Sequence, residues 1–425
     1  MPNSPIQKKN AFYAQSGGVT AVINATACGL IEAARKNSDK IGNVYAGRNG
    51  ILGALREELI DTSKESHDAI ASLRYTPSGA FGSCRYKLKN FEDSKAEYER
   101  LIEVFKAHNI GYFFYNGGGD SADTCLKVSQ ISQQMGFPIQ AIHIPKTVDN
   151  DLPFTDNCPG FGSVAKYIAV STKEASLDIA SMCESSTKVF ILEVMGRHAG
   201  WIAAASALAA EKLGDPPHII LFPEVPFSQQ DFLDRVQKTV LDHGYCVVVA
   251  SEGTKYSDGS LISGSTNQDA FGHHQLGGVA PSLAGMIKSS LGYKYHWALA
   301  DYLQRSARHI ASATDVAQAY AVGRTAVEYA LAGKNSVMVT IERKEDSVYS
   351  WDLGEADLTD IANQEKKMPK NYITADGYGV TQAGIDYLSP LIQGEDYPPY
   401  KNGVPIYKKL ANTPVKKKIK ESYKL

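Results

Sequence analysis

The chain of 425 residues is 43% hydrophobic and 21% charged, an ordinary balance for a globular protein with a substantial core. Its formal net charge of −2 creates no field that would attract nucleic acid or an anionic membrane. The six cysteines are scattered, without the spacing of a metal site or a disulfide framework, and the sequence shows neither a signal peptide nor a run long enough to cross a bilayer. We therefore expect a cytoplasmic protein that binds neither nucleic acid nor a membrane.

The first predicted strand, residues 11–14, leads into a turn with the glycine pair Gly17 and Gly18 and then into a helix. Glycine N–H groups at a helix N-terminus can approach phosphate oxygens closely, so the turn is a candidate anion site. A glycine pair alone is more often only a turn. The next glycine-rich and serine-rich loop, residues 75–85, ends in Arg85, which suits phosphate but has a solvated arginine as its alternative interpretation.

A second strand, glycine loop and helix contain an acidic residue. The predicted strand 110–115 is followed by Asn116, by Gly117, Gly118 and Gly119, and then by Asp120. Three consecutive glycines cost considerable backbone entropy. They therefore indicate close approach by a ligand or by another part of the backbone.

The segment 145–151 is where we expect the chemistry. The apolar run 139–144 predicts a buried strand, which Pro145 ends. Ligands of open α/β sheets bind beyond the carboxyl ends of the strands, so the polar loop that follows is a candidate site. An Asx-rich turn that caps its own backbone is the alternative, but the neighbouring lysine and the upstream glycines favour a site. The loop supplies Lys146, Thr147, Val148, Asp149 and Asp151.

Later strands end in residues of similar character. The predicted strand 189–194 is followed by Met195, Gly196 and Arg197, and the strand 246–250 by Glu252. Further on, Tyr302 and Arg305 are one helical turn apart and so share a face. The pair His273 and His274 has no carboxylate or cysteine at ligand spacing, which favours solvated histidines over a metal site.

Alternating strands and helices predict an α/β fold with two doubly wound, mostly parallel, Rossmann-like domains, an active site in the cleft between them and a C-terminal extension. We place residues 1–155 with 275–330 in the first domain, and 156–274 with 331–425 in the second. From residue 343 onward the chain is polar, aromatic and lysine-rich. This composition predicts an extension that wraps over the second domain and ends in a solvated basic tail.

The strand-end loops together favour phosphoryl transfer. Nearly all their polar side chains suit phosphates and sugar hydroxyls, and none is a covalent nucleophile. Phosphoryl transfer needs charge neutralisation, in-line positioning and a base for the attacking hydroxyl. The side chains in question are Arg85, Asp120, Lys146, Asp149, Asp151, Arg197, Glu252 and Arg305.

The order of these motifs closely resembles the phosphofructokinase family over most of the chain. The resemblance implies magnesium-dependent transfer of a phosphoryl group to the 1-hydroxyl of fructose 6-phosphate. It implies that Asp149 is the general base, that Thr147 orients the sugar and the transferring phosphate, and that Glu252 binds sugar hydroxyls. The matching motifs are Ser16-Gly17-Gly18, Gly79 to Arg85, Gly118 to Ser121, Lys146 to Asp151, Met195-Gly196-Arg197, Glu252-Gly253 and Gly272-His273 to Gly278.

The resemblance also implies the remaining roles. The catalytic set is Lys146, Asp120, Thr147, Asp149 and Arg197. The substrate-binding set is Thr147, Val148, Asp149, Asp151, Met195, Gly196, Arg197, Lys188, Glu252, Tyr302 and Arg305. The diphosphate-binding set is Gly17, Gly18, Arg85 and Gly118, and the metal-binding set is Gly119 and Asp120.

Two positions resemble members of the family that use pyrophosphate rather than ATP. Asp120 stands where the α-phosphate of ATP would lie, and repulsion between anions in a partly dehydrated pocket costs several kcal/mol at low effective dielectric. Lys146 adds a cation that can stabilise the transferring or leaving phosphate. An ATP-dependent enzyme of the same fold and a non-catalytic phosphosugar-binding subunit are the alternatives; the presence of Asp149, Asp151 and Arg197 disfavours the second.

The sequence departs from the family pattern at several positions. Gly119 replaces an aspartate, which leaves direct or water-mediated magnesium binding by Asp120 open. Leu276 replaces an arginine that binds the sugar 6-phosphate, and Tyr302 with Arg305 looks like its replacement. Lys188 replaces an arginine borrowed from a neighbouring subunit, which implies a homodimer or larger homo-oligomer. The expected effector-binding arginines are absent, since Cys28 and Glu32 stand there, and this argues against nucleotide control.

Overall fold

The computed structural model describes residues 8–262, 278–344, 348–421 and 423. The histidine pair and Leu276 belong to the motif at 272–278, and of this motif only residue 278 is among the described residues. The strands are β1 (Lys9–Ser16), β2 (Ile41–Gly47), β3 (Leu59–Asp61), β4 (Ser83–Cys84), β5 (Ile110–Gly117), β6 (Gln140–Pro145), β7 (Val189–Val194), β8 (Ile219–Leu221), β9 (Cys246–Ser251), β10 (Tyr295–Leu299), β11 (Val337–Arg343), β12 (Trp351–Asp357), β13 (Tyr400–Lys401) and β14 (Val404–Pro405). The α-helices are α1 (Ile23–Lys36), α2 (Ile51–Leu55), α3 (His67–Ala71), α4 (Phe91–Ala107), α5 (Gly119–Gln134), α6 (Phe161–Met182), α7 (Trp201–Ala205), α8 (Gln229–His243), α9 (Val279–Leu291), α10 (Asp301–Ser306), α11 (Ala313–Leu331), α12 (Leu358–Ile361) and α13 (Gln382–Leu388).

Two sheets form the framework. The large sheet has the strand order β12-β11-β6-β5-β1-β2-β3, with β4 paired to β1, and the small sheet has the order β10-β7-β9-β8. Every pairing in the small sheet is parallel, whereas the large sheet has antiparallel strands at both edges, β12 and β3. The prediction of an α/β fold with two mostly parallel sheets is confirmed.

The apolar residues of the strands are buried because helices cover both faces of the large sheet. Helices α1 and α11 cover one face and α4 and α5 the other. The backbones of α1 and α11 touch, since a Cβ atom at Gly29 would lie 2.1 Å from the carbonyl oxygen of Tyr320. Any side chain at this position would force the two helices apart.

The predicted domain division needs correction in two segments. Helix α9 and strand β10 were placed in the first domain with residues 275–330, but β10 pairs with β7 and α9 packs against the small sheet. Strands β11 and β12 were placed in the second domain with residues 331–425, but β11 pairs with β6 and so extends the large sheet. The rest of the division stays a prediction.

The C-terminal extension contacts both sheets. Leu388 and Leu391 pack in the core beside the small sheet, as predicted. Beyond them the chain crosses to the large sheet, where Val415 N donates a hydrogen bond to Leu59 O at 2.8 Å. The tail therefore pairs with the edge strand β3 instead of covering only the second domain. No helix among the described residues has the length and apolar character that crossing a bilayer requires.

Candidate active site

A cavity of about 1070 Å³ lies between the carboxyl ends of the two sheets. Strands β5 and β6 of the large sheet and β7 and β9 of the small sheet end at its wall, which is why loops distant in sequence meet there. The lining residues are Gly18, Val19, Arg85, Gly119, Asp120, Lys146, Thr147, Val148, Asp149, Asp151, Leu152, Met195, Arg197, His198, Ala199, Glu252, Asp301, Tyr302, Arg305, Asn363, Gln364, Glu365 and Lys367.

Lys146 ties the loop after β6 to the glycine turn after β1. Its ammonium donates a hydrogen bond to Gly18 O at 2.8 Å, and a Cβ atom at Gly17 would lie 3.5 Å from Nζ. The residue is only 5% exposed. Burial and the charge of Arg305 lower the pKa of the Lys146 ammonium to about 8. The ammonium is thus a fixed cation with little water around it, and an anion in the cavity would stabilise its charge.

The buried Asn150 fixes the conformation of the loop that contains Asp149 and Asp151. Asn150 has a φ of 54°, a left-handed conformation that asparagine tolerates better than most residues. Its side chain donates to Tyr387 Oη at 2.9 Å and accepts from Cys158 N at 3.0 Å. With residue 150 anchored inward, both flanking carboxylates line the cavity.

Three acidic residues of the cavity, Asp149, Asp151 and Glu252, share a low-dielectric environment. Burial, then the charges of Asp151 and Glu252, raises the pKa of Asp149 to about 7. Burial likewise raises the pKa of Glu252 to about 7, and burial followed by the charge of Glu365 raises the pKa of Asp151. A carboxylate with a pKa near neutrality is suited to accept a proton from a substrate hydroxyl.

The loop after β7 lies directly on the loop after β9. A Cβ atom at Gly253 would lie 2.1 Å from Arg197 O, so only glycine permits this approach. Gly196, with a φ of 137°, directs its N–H toward the carboxylate of Glu252 at 3.4 Å. The charge of Arg197 offsets part of the rise that burial causes in the pKa of Asp149 and of Glu252, so the guanidinium lies within electrostatic reach of both carboxylates.

Arg305 converges with other cations near the glycine turn. Its guanidinium lies 3.9 Å from the centre of the Tyr302 ring, and its Nη1 would be 2.6 Å from a Cβ atom at Gly18. Burial lowers the pKa of Arg305, and the nearby charge of Arg85 lowers it further. Three cations, Arg85, Lys146 and Arg305, therefore lie within electrostatic reach of one another beside the glycine turn, an arrangement that an anionic ligand stabilises.

Asp120 lies in the first turn of α5, where the partial positive charge of the helix end favours a carboxylate. It forms an ion pair with Lys87 at 2.6 Å, and its side chain is 45% exposed. Lys87 was not among the sequence candidates. Its charge partly offsets that of Asp120, which weakens the expected repulsion of a longer anionic donor.

Most of the predicted site residues line the cavity; Gly17, Gly118, Gly196 and Lys188 are the exceptions. The three glycines are backbone neighbours of lining residues. Lys188 directly precedes β7 and so lies at the end of this strand that points away from the cavity. There its ammonium donates to Cys183 O and Glu184 O. This chain alone therefore does not bring Lys188 to its own cavity.

Nine lining residues were not among the residues predicted from the sequence. Four of them, Val19, Leu152, His198 and Ala199, adjoin recognised motifs and could have been inferred from that position. Asp301 precedes Tyr302 in the same way. The segment 363–367 follows the short helix α12 without any strand or glycine motif, so no signal in the sequence pointed to it. From this segment Asn363, Gln364, Glu365 and Lys367 reach the cavity.

The fold and this cavity define a member of the phosphofructokinase family. The family model described as phosphofructokinase matches residues 10–330, and the chain belongs to this family. It is 66% identical to the pyrophosphate–fructose 6-phosphate 1-phosphotransferase of Halomonas elongata, over 97% of this chain and 98% of the relative. The protein of the same name from Methylococcus capsulatus is 64% identical, over 98% of this chain and 99% of the relative.

Two solved structures of phosphofructokinases have the same fold as this chain. The crystal structure of the pyrophosphate-dependent phosphofructokinase from Marinobacter aquaeolei superimposes with a TM-score of 0.91 at 65% sequence identity, and the match covers 98% of this chain and all of that one. A phosphofructokinase from Pichia pastoris shares the fold with a TM-score of 0.66 at 21% identity. This second likeness concerns the fold alone.

Proposed function

We propose that this chain transfers a phosphoryl group reversibly from pyrophosphate to the 1-hydroxyl of fructose 6-phosphate, giving fructose 1,6-bisphosphate and phosphate. The observation that most supports the proposal is a half-buried carboxylate, Asp149, with a pKa near neutrality in the same cavity as the cations Arg85, Lys146 and Arg305. The names of the highly identical relatives support the same reaction.

In the proposed mechanism Asp149 accepts the proton of the 1-hydroxyl as the oxygen attacks the nearer phosphorus. The bond to the bridging oxygen breaks, and inorganic phosphate leaves. Lys146 and Arg197 stabilise charge on the transferring and leaving groups, as fixed cations do in a dehydrated site. Asp151 keeps the pKa of Asp149 raised, and Thr147 accepts a hydrogen bond from Asp149 N at 3.1 Å, which holds the loop in place.

The sugar-binding residues come from the small sheet and the donor-binding residues from the large one. We assign the sugar hydroxyls to Glu252 and the backbone of residues 195–197, and the sugar 6-phosphate to Tyr302 and Arg305. Because Arg305 reaches toward Gly18, we infer that it also approaches the donor. The donor is assigned to the backbone at Gly17, Gly18 and Gly118 and to the side chain of Arg85.

The residues fit a magnesium ion that arrives with the diphosphate. Mg²⁺ is usually held by one or two carboxylates, by water and by substrate phosphates. Within the described ranges no group of three or more His, Cys, Asp or Glu residues is arranged to hold a metal, so a closed all-protein site is not formed there. Asp120, beside Gly119 at the cavity wall, is the carboxylate we assign. When bound, the ion would neutralise phosphate charge.

We also infer an assembly of at least two subunits. Lys188 stands where the family borrows a cation from a neighbouring subunit, and in this chain it lies at the end of β7 away from the cavity. A role in sugar-phosphate binding therefore requires that it reach the cavity of a second copy. Dimerisation would give each cavity one further cation.

Phosphorus NMR tests the reaction itself. Purified protein with fructose 6-phosphate, magnesium and pyrophosphate should convert the pyrophosphate signal into equal amounts of inorganic phosphate and the new 1-phosphate of fructose 1,6-bisphosphate. Adding phosphate and the bisphosphate should regenerate pyrophosphate. Two phosphates released without a sugar bisphosphate would indicate hydrolysis instead, and binding without any turnover would indicate the non-catalytic subunit.

A further inference from the structure

A segment outside the matched residues 10–330 crosses the active-site cleft. We call residues 362–368 the strap. It begins after Ile361, which is buried in the core of the large sheet, and ends at Met368, which is buried beside the small sheet. Seven residues thus connect the two cores across the cleft, and four of them line the cavity.

Lys366 holds the strap against the loop that follows β6. Its backbone N–H donates to Asp151 O at 2.6 Å, and its ammonium donates to Thr155 O at 3.0 Å and to Asp156 O at 2.8 Å. The ammonium also lies 5.4 Å from the centre of the Trp201 ring. The strap is therefore anchored on the loop that follows Asp149 and does not hang free over the cavity.

From this anchored backbone, Glu365 reaches across to the loop after β7. Its two carboxylate oxygens lie 2.9 and 3.1 Å from Nδ1 of His198. His198 directly follows Arg197, and both line the cavity. The pair therefore links the loop of the general base to the loop of the reaction-centre arginine.

We propose that Glu365 is a positioning residue, which holds His198 and thereby sets Arg197 relative to Asp149. The inference rests on the proposed function and adds a residue beyond the family's matched region to its machinery. Because misplacing a catalytic group by about 1 Å can cost about 10²-fold in rate, loss of this link should affect turnover out of proportion to its effect on stability. A half-exposed ion pair contributes little to the stability of a fold, so its removal should leave the protein folded.

The charges around the catalytic carboxylates give the test a second readout. Asp151 is faced by Glu365 and Lys366 from the strap, and Asp149 is faced by Asp151, Glu252, Lys146 and Arg197. Replacing Glu365 with glutamine removes one negative neighbour of Asp151 and so lowers the pKa of Asp151. Asp151 then stays ionised to lower pH, and its charge raises the pKa of Asp149, so the decline of kcat/KM on the acid side should move to higher pH.

The experiment compares Glu365→Gln, His198→Ala and the double variant with wild type. We expect each single variant to lower kcat/KM for fructose 6-phosphate about 10-fold to 100-fold and the double variant to lose little more, because both changes break one link. Only Glu365→Gln and the double variant should shift the acid-side decline of kcat/KM to higher pH. The matched control is Glu355→Gln on β12, which breaks the exposed Glu355–Lys334 ion pair away from the cavity.

Wild type is first assayed with pyrophosphate and with ATP, and the variants are then assayed with the donor that it uses. A wild type that prefers ATP contradicts the proposed donor and leaves the test of the strap intact. Single variants whose kcat/KM matches that of Glu355→Gln, or losses that multiply in the double variant, would overturn the positioning role.

Discussion

Replacing Asp149 with alanine should lower kcat by about 10²–10⁴-fold, the usual contribution of a general base, with little change in the affinity for fructose 6-phosphate. The carboxylate is half-buried and has a pKa of about 7, so it can take the proton of the 1-hydroxyl near neutral pH. Steady-state kinetics and calorimetric titration with the sugar phosphate measure the two effects separately.

If Asp149 is the general base, its protonation determines how kcat/KM declines at acidic pH. A base works only when unprotonated, so kcat/KM of wild type should fall as the pH drops through about 7. Asp149, Asp151 and Glu252 interact, so the apparent pKa belongs to the three carboxyl groups together.

Asp149→Asn should remove most of this activity at every pH. Asp123→Asn is the matched control, since Asp123 is buried, pairs with Lys127 and does not line the cavity. Near-normal turnover of a folded Asp149→Asn protein would exclude Asp149 as the base.

Replacing Lys146 with methionine should lower kcat with pyrophosphate by about 10²–10³-fold, comparable to removal of one preorganised donor from an oxyanion site. Methionine keeps most of the apolar stem and removes the charge that faces the transferring phosphate. In wild type, kcat/KM should also fall as the pH rises through about 8, because the ammonium with its lowered pKa then loses its proton.

Lys127→Met is the matched control for this change, because Lys127 forms an ion pair with Asp123 on α5 outside the cavity. The Lys146→Met protein should lose the decline on the alkaline side, whereas the control should keep it. An equal loss of activity in both variants would show that a general effect on the fold, and not the charge at residue 146, accounts for the result.

The sequence predicted those parts of the site that follow directly from strand ends. Parallel strands bring their carboxyl ends to one edge, so the residues after β6, β7 and β9 could be assigned to one cleft without a structure. Glycine turns marked places where another group approaches the backbone closely, as the Arg305 side chain does at Gly18. The roles of these residues follow from family resemblance and stay predictions until the variants are measured.

The parts that the sequence did not predict depend on tertiary pairing. The run at 337–343 is recognisable as a strand, but only its pairing with β6 decides that it belongs to the large sheet. The strap has no periodicity, and Glu365 reaches the cavity because both ends of the strap are anchored in different cores. Likewise, nothing in the spacing of Lys87 and Asp120 indicates that they form an ion pair.

Pyrophosphate is the proposed donor, and kcat/KM for pyrophosphate and for ATP, measured in parallel on wild type and Asp120→Gly at fixed magnesium, tests this directly. Wild type should prefer pyrophosphate by at least about tenfold, equivalent to about 1.4 kcal/mol, because Asp120 repels a longer donor even with Lys87 beside it. Asp120→Gly should shift the ratio toward ATP, and an unchanged ratio would reject exclusion by this carboxylate. A wild-type enzyme that uses ATP as well as or better than pyrophosphate would rule out pyrophosphate as its specific donor.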